Sequence, residues 1–254
     1  MGRPLEDHGV SIVKYDNSGS WKRFAKLFLR KDKDTSNQHW HPTKIAVLRD
    51  LDLWPSCAEK KNDGTNPYGF LDRKSPNDQG RGGNLDYWET SDAQQLEAQI
   101  SARKAQHKKD GEISLERQNV KIFVSDRWTF EFCLARYGLY TEACAALGVA
   151  EVNGTEDEKS TYIQSQVSKT DFAYKLGQVL EDQLLDRVQQ AMDGVNQGEN
   201  LALQKIEAAR ETRARFAEEL RTNLPPYIVN AIDFATSLNQ NSQDGGGESG
   251  GIAA

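Results

Sequence analysis

The most informative pattern in the chain is a short apolar run that ends in two aspartates. The uninterrupted apolar residues from Ile45 to Leu48 predict a strand that is buried on both faces. Asp50 and Asp52 follow at positions i and i+2, before Pro55 ends the segment, and in extended chain their side chains project on the same side. Ligands of open α/β sheets gather at the carboxyl ends of strands, so this pair predicts a cation site. The alternative is that both aspartates are solvated turn or capping residues.

A second strand pattern lies upstream of the aspartates. The segment from Val10 to Tyr15 predicts a strand, and the segment from Trp21 to Phe28 has apolar residues at helical spacing with basic residues on the other side. With the aspartate strand these form a β-α-β unit. The pattern therefore predicts parallel strands joined by a right-handed crossover.

A third strand pattern, from Val120 to Ser125, leads directly into a predicted helix. Ser125 or Asp126 can cap the start of this helix, and Gly138 can end it. Glu131 lies in its first turns. If this strand lies beside the aspartate strand, Glu131 faces the same pocket, although a glutamate in the first turns of a helix also interacts favourably with the helix dipole.

The connection between these strands is long. Residues 56–119 begin with a segment rich in Gly, Asn, Asp and Pro, and continue with a polar helix predicted from Ala93 to Lys109. Connections of this length are usually functional or mobile. Because this one leaves from beside the aspartates, it is predicted to be a lid or a substrate-contacting insertion, and a disordered surface excursion is the alternative.

The second half of the chain has helical periodicity. Two apolar stripes predict core-facing helices, and a Pro-Pro pair after Leu224 predicts the start of a third helix. The stripes are Phe172, Leu176, Val179, Leu180, Leu184 and Val188 in the first helix, and Leu201, Ile206, Ala209, Phe216 and Leu220 in the second. The predicted organisation is an α/β core over residues 1–150, a helical part over 151–238 and a disordered tail over 239–254.

Composition narrows the possible functions. The 254 residues carry a formal net charge of −6, so any contact with nucleic acid must be local, metal-bridged or supplied by another part of a larger molecule. No apolar run approaches the ~18 residues of a membrane span, and no signal peptide is recognisable. Three cysteines without a C-x-x-C pair favour a reducing, cytoplasmic location and argue against structural zinc.

Several of these segments together resemble one protein family. In the same order, they are similar to the carboxy-terminal Toprim half of the OLD-family (overcoming lysogeny defect) ATP-dependent endonucleases, and the similarity extends from about Leu5 to Phe234. The segments are Leu5–Val13, Ile45–Pro55, Phe123–Ala135, Lys169–Ala173, Arg215–Leu220 and Leu224–Ile232.

This resemblance implies a fold and an activity. It implies a Toprim-like parallel sheet with flanking helices, a long insertion after the D-x-D strand and a helical carboxy-terminal part. The implied activity is cleavage or nicking of DNA at a two-metal Mg²⁺ or Mn²⁺ site, in a phage-defence protein. The implied partners are DNA and an ATPase domain or subunit, through which alone ATP would act, and a homodimer is possible. No membrane association is implied.

The resemblance also assigns residues. Asp50 and Asp52 match the family's D-x-D metal ligands, Glu131 matches its later glutamate ligand, and Ser125 is a weaker candidate ligand beside it. Asp50, Asp52 and Glu131 are therefore expected to be both metal-binding and catalytic, and Ser125 to be metal-binding only.

The family also places a basic residue near its carboxy-terminal helices to stabilise the transition state. Arg213 and Lys169 both stand close before a Phe-Ala pair, and the choice between them stays open. An arginine at this position can clamp a phosphate but is a poor proton donor.

One departure from the family and two alternative functions matter. The family's first acid lies in a Glu-Gly motif upstream of the segment that matches Leu5, so a folded, metal-binding but catalytically weak or inactive fragment is expected. A haloacid-dehalogenase-type phosphotransferase would use Asp50 as its nucleophile, but Leu53 follows Asp52 where that class has a small hydroxyl residue. A fragment that only binds partners, through its exposed carboxy-terminal helices, is the non-enzymatic alternative.

Overall fold

The structure, a computed structural model, describes residues 44–71, 93–112, 120–167, 171–196 and 200–236. Within these ranges the chain is mixed α/β, mostly helical, with a two-stranded parallel sheet. The elements are β1 (Ile45–Arg49), a 3₁₀ turn (Ser56–Ala58), α1 (Ala93–Glu112), β2 (Val120–Val124), α2 (Phe130–Leu134), a π-helical turn (Ala135–Leu139), α3 (Tyr140–Leu147), α4 (Glu156–Gln166), α5 (Phe172–Asp193), α6 (Leu201–Asn223) and α7 (Pro226–Thr236).

The sheet meets the condition set for Glu131, because the strand that precedes it lies beside the aspartate strand and parallel to it. Ile45 pairs with Val120 and Arg49 with Val124, so the carboxyl ends of β1 and β2 meet at one edge. The prediction that β1 is buried on both faces is wrong in the described part of the chain. Leu48 is 46% exposed there, while its neighbour Val47 is buried. The predicted upstream β-α unit lies outside the described residues.

A hydrophobic core joins the sheet to the helices. Helix α7 packs against both strands, and α1 packs against β2. Trp54 stacks on Trp128 with ring centroids 6.4 Å apart, and Phe132 and Ile163 are fully buried beneath them. The aromatic residues that follow each strand are therefore core residues that hold the carboxyl edge in place.

The helix after β2 starts later than predicted. Thr129, rather than Ser125 or Asp126, is its N-cap, and the Thr129 hydroxyl accepts a hydrogen bond from the Phe132 N–H at 3.2 Å. The start is delayed because the Ser125 hydroxyl instead bonds within a turn that precedes the helix. The predicted end is confirmed, since Gly138 has a non-helical φ of 141° and kinks the chain between this helix and α3, which begins at Tyr140.

The carboxy-terminal helices have the predicted order, with α5 and α6 packed against each other. Most of the predicted core stripe is buried or half-buried, but Leu201 and Ile206 are 38% and 64% exposed. Their assignment to the core was wrong because the buried face of α6 begins only at Ala209. In the parts of the chain that are described, no helix is both long enough and apolar enough to cross a bilayer.

Candidate functional site

The two aspartates lie in the loop that follows β1, between Arg49 and the 3₁₀ turn that begins at Ser56. Leu51, which stands between them, is fully buried, whereas Asp50 and Asp52 are exposed. The Leu51 N–H donates to the Trp128 carbonyl at 2.9 Å, and the Ser125 N–H donates to the Arg49 carbonyl at 2.8 Å. The loop is therefore anchored to the segment after β2 through its backbone, and both carboxylates stay accessible to solvent.

Asp52 does not continue the extended strand. Its φ of 57° lies in the left-handed region, which side chains other than those of Asn and Asp adopt only at a cost. The argument that extended geometry places both carboxylates on one side therefore does not hold at this residue. The two acids share the loop because Leu51 is anchored between them, and not because the strand runs on.

Asp50 makes a structural contact of its own. Its Oδ1 accepts a hydrogen bond at 2.9 Å from the backbone N–H of Phe130, the first residue of α2. This N–H has no partner inside the helix, so Asp50 takes the capping role that the sequence left open for it. A carboxylate offers about four lone-pair positions, so capping does not exclude a second role as a ligand.

Ser125 is a buried connector between the two strand ends. Its hydroxyl oxygen lies 2.7 Å from the Leu51 nitrogen, from which it accepts a hydrogen bond. The same hydroxyl can donate to the carbonyl of Arg127 or of Trp128, each 3.1 Å away. Ser125 is 0% exposed. In this geometry its hydroxyl holds the aspartate loop in place and does not face the solvent beside the acids.

Glu131 is half-buried in the first turn of α2, one residue after the N–H that Asp50 caps. Its carboxylate and that of Asp50 act on a common neighbour, the hydroxyl of Tyr227 on α7. Burial raises the pKa of Tyr227, and the nearby Cys133, Asp50, Asp126 and Glu131 raise it further. The negative charges that follow both strands therefore disfavour ionisation of this buried phenol.

Asp126 is a site residue that the sequence argument missed. Its Oδ1 forms a 2.6 Å ion pair with the Lys104 ammonium, and its buried Oδ2 has no hydrogen-bond partner among the described residues. The same holds, within these ranges, for the buried hydroxyl of Tyr227. A buried polar atom that lacks a partner costs about 1–3 kcal/mol. The only signal in the sequence was the position of Asp126 directly after the Val120–Ser125 strand pattern.

Helix α1, which belongs to the 56–119 insertion, contacts the aspartate loop directly. The Arg103 Nε–H donates to the Leu51 carbonyl at 3.3 Å, and the His107 Nε2 lies 2.9 Å from the same oxygen. A carbonyl can only accept, so this His107 nitrogen carries the proton. Burial lowers the pKa of His107, and the charges of Arg49 and Arg103 lower it further. Burial and the two arginine charges therefore both favour the neutral form of the His107 imidazole beside the loop.

The two candidate basic residues are not brought to the site by any contact that the structure describes. Arg213 lies on the exposed face of α6, beside the buried Thr212. Lys169 lies outside the described residues. Within the described ranges, no three His, Cys, Asp or Glu side chains converge closely enough to hold a metal ion.

Comparison with known protein families, with curated proteins and with solved structures gave no match to this chain. A functional assignment therefore depends on the geometry of the carboxyl edge and on the resemblance of its sequence segments.

Proposed function

We propose that this chain carries the Toprim-like catalytic region of a metal-dependent DNA endonuclease of the OLD type. The observation that supports this most is the parallel pairing of β1 with β2, which brings the Asp50–Asp52 loop and the acid-bearing start of α2 to one edge of the sheet. Ligands of parallel sheets bind at this edge. The order of these acids along the chain is also the order that the family resemblance implies.

The donor chemistry fits a hard divalent cation. Asp50 and Asp52 are exposed, Glu131 is half-buried, and carboxylate oxygens are preferred ligands of Mg²⁺ and Mn²⁺. Because no three such groups converge in the described ranges, these residues supply only part of a ligand set in this proposal. When bound, the ions would neutralise the acids and generate a nucleophilic water for phosphodiester cleavage.

The surrounding residues hold the acids in place. Ser125 and His107 fix Leu51 through its N–H and its carbonyl, so the backbone between Asp50 and Asp52 is held from both sides. Thr129 and Asp50 together cap the helix that carries Glu131. In the proposed enzyme these bonds set the spacing of the ligands before substrate arrives, which is how a second layer of contacts supports a metal site.

The proposal retains the wider assembly that the resemblance implies. ATP would act through an ATPase domain or subunit that joins this region, and the isolated chain would cleave slowly. Either Arg213 or Lys169 is proposed as the basic residue that assists cleavage. Substituting each by Ala and comparing the cleavage rates identifies the one on which cleavage depends.

The direct test is a nicking assay on supercoiled plasmid with Mg²⁺ or Mn²⁺, run with excess protein and long incubation. Asp50→Asn combined with Asp52→Asn should abolish nicking, while the matched exposed control Asp186→Asn on α5 should nick as the unaltered chain does. Nicking that survives in the double variant would contradict the site assignment. Hydrolysis of an aryl phosphate, lost in Asp50→Asn, without any cleavage of DNA would instead support the phosphotransferase alternative.

A further inference from the structure

Helix α1 concentrates positive charge in a chain that is acidic overall. The segment from Arg103 to Lys109 contains Arg103, Lys104, Lys108 and Lys109 and no acidic residue, while the whole chain carries a net charge of −6. A basic segment near the end of a helix also interacts favourably with the helix dipole, so the composition alone does not indicate a ligand. The contacts of this segment show whether its charge serves only the helix dipole or lies where an anionic ligand would bind.

Those contacts hold the first two cations of the segment, Arg103 and Lys104, against the residues that follow the two strands. The Arg103 guanidinium donates to the carbonyl of Leu51, the residue between Asp50 and Asp52, and Lys104 pairs with Asp126 at 2.6 Å. Both side chains are half-buried, and the helix is anchored beside them by Ile100, which is 2% exposed. Arg103 is therefore held against the loop that carries Asp50 and Asp52, and Lys104 is held against Asp126 at the end of the neighbouring strand.

A second ion pair fixes the orientation of α1. Glu97, two turns before Lys104, accepts a 2.8 Å hydrogen bond from the Arg127 guanidinium. The neighbouring residues Arg127 and Asp126 thus bind opposite charges on α1. Arg127 pairs with Glu97, and Asp126 pairs with Lys104, so the two ion pairs together fix the orientation of α1. In this orientation Lys104 lies at the carboxyl edge of the sheet.

We propose that α1 is the element that binds the nucleic-acid backbone and delivers it to Asp50 and Asp52, with Arg103 and Lys104 contacting its phosphates. This proposal depends on the proposed nuclease function, because the acids alone would repel a polyanion. The Arg103 guanidinium donates to the Leu51 carbonyl and, at 3.4 Å, to the Gln106 side chain, while the Lys104 ammonium pairs with Asp126. In the proposed complex a phosphate oxygen shares these guanidinium and ammonium donors with their present partners, because a charge-assisted hydrogen bond to an anion is stronger than one to a neutral oxygen.

The experiment measures binding without cleavage. Fluorescence anisotropy of labelled DNA, single-stranded and duplex, is followed in EDTA between about 50 and 200 mM salt. Three variants are compared with the unaltered chain: Arg103→Ala with Lys104→Ala, the matched control Lys175→Ala with Arg210→Ala on exposed positions of α5 and α6, and the charge-conserving exchange Arg103→Lys with Lys104→Arg. Circular dichroism establishes that each variant is folded.

The expected result is a weaker affinity only in the first variant. Each lost phosphate contact lowers the slope of log K against log salt by about 1, so Arg103→Ala with Lys104→Ala should lose about 2. The control and the exchange variant should keep the slope of the unaltered chain. The exchange variant also keeps a cation opposite Asp126, so it separates lost phosphate contacts from a disturbed loop.

Two outcomes would overturn the inference. One is binding with an unchanged slope in Arg103→Ala with Lys104→Ala, and the other is no DNA binding by the unaltered chain. Failure of the nuclease proposal gives a different pattern, in which DNA binds through Arg103 and Lys104 but plasmid is not nicked with either metal. That pattern would leave α1 as a nucleic-acid-binding element beside a non-nucleolytic site.

Discussion

Replacing Asp50 separates its structural role from its proposed metal-binding role. Its Oδ1 accepts the Phe130 N–H at 2.9 Å, and the residue is exposed to solvent. Removing a side chain that satisfies a helix N-terminus costs about 0.5–2 kcal/mol, so Asp50→Ala should lower the free energy of unfolding by about 1 kcal/mol. Asp50→Asn keeps an oxygen acceptor and loses only the charge, which costs about 0.3–1 kcal/mol near a helix N-terminus.

The assay is urea unfolding with and without Mn²⁺. A ligand at about 100 times its Kd stabilises the folded state by about 2.7 kcal/mol. The unaltered chain should show such a metal-dependent gain, and both Asp50→Ala and Asp50→Asn should lack most of it. Without metal, Asp50→Asn should be the more stable of the two variants.

Thr129→Ala is the matched control, because Thr129 caps the same helix through the Phe132 N–H and carries no charge. It should lose about 1 kcal/mol of stability and keep the full response to Mn²⁺. The reasoning is refuted if Asp50→Asn responds to Mn²⁺ as the unaltered chain does. The capping argument fails separately if Asp50→Ala is as stable as Asp50→Asn.

Three further predictions concern the loop around Leu51. Asp52→Ala should cost about 1 kcal/mol because alanine resists the left-handed backbone at this position, whereas Asp52→Asn should be nearly neutral; urea unfolding compares the two. Ser125→Ala removes one of the two acceptors of the Leu51 N–H, leaves it the Trp128 carbonyl, and should lower the free energy of unfolding by about 1 kcal/mol. His107 has a pKa below its ordinary 6.5 in the folded chain, so its contribution to stability is full above about pH 6.5 and is lost as the pH falls towards the folded-state pKa. His107→Gln should flatten this part of the stability–pH curve, and an unchanged curve would contradict the assignment.

The sequence predicted those parts of the fold that periodicity and spacing determine. The apolar runs before Asp50 and before Ser125 became parallel strands, and the helical stripes became α5 and α6. The polar helix of the insertion was predicted as well, although its basic residues were not connected to the site. The local sequence pattern is sufficient to predict such elements, because a helix or strand that buries one face places its apolar residues at a characteristic spacing.

The finer geometry of the site depends on contacts between distant segments, which periodicity does not encode. The left-handed turn at Asp52 follows from anchoring Leu51 to Ser125 and Trp128, more than seventy residues away. The pattern predicts either Ser125 or Asp126 as a helix cap, yet Asp126 pairs with Lys104 because α1 packs against β2. Only the packing of α1 on β2 brings these residues together.

Calorimetric titration of the chain with Mn²⁺ tests directly whether Asp50 and Asp52 bind a divalent cation. The account predicts saturable binding that disappears when Asp50→Asn and Asp52→Asn are combined, and that is kept in the exposed control Asp186→Asn. The double variant should remain folded, because asparagine accepts the Phe130 N–H and tolerates the left-handed backbone. Binding of equal affinity in the folded double variant would contradict the claim that these aspartates hold the cation.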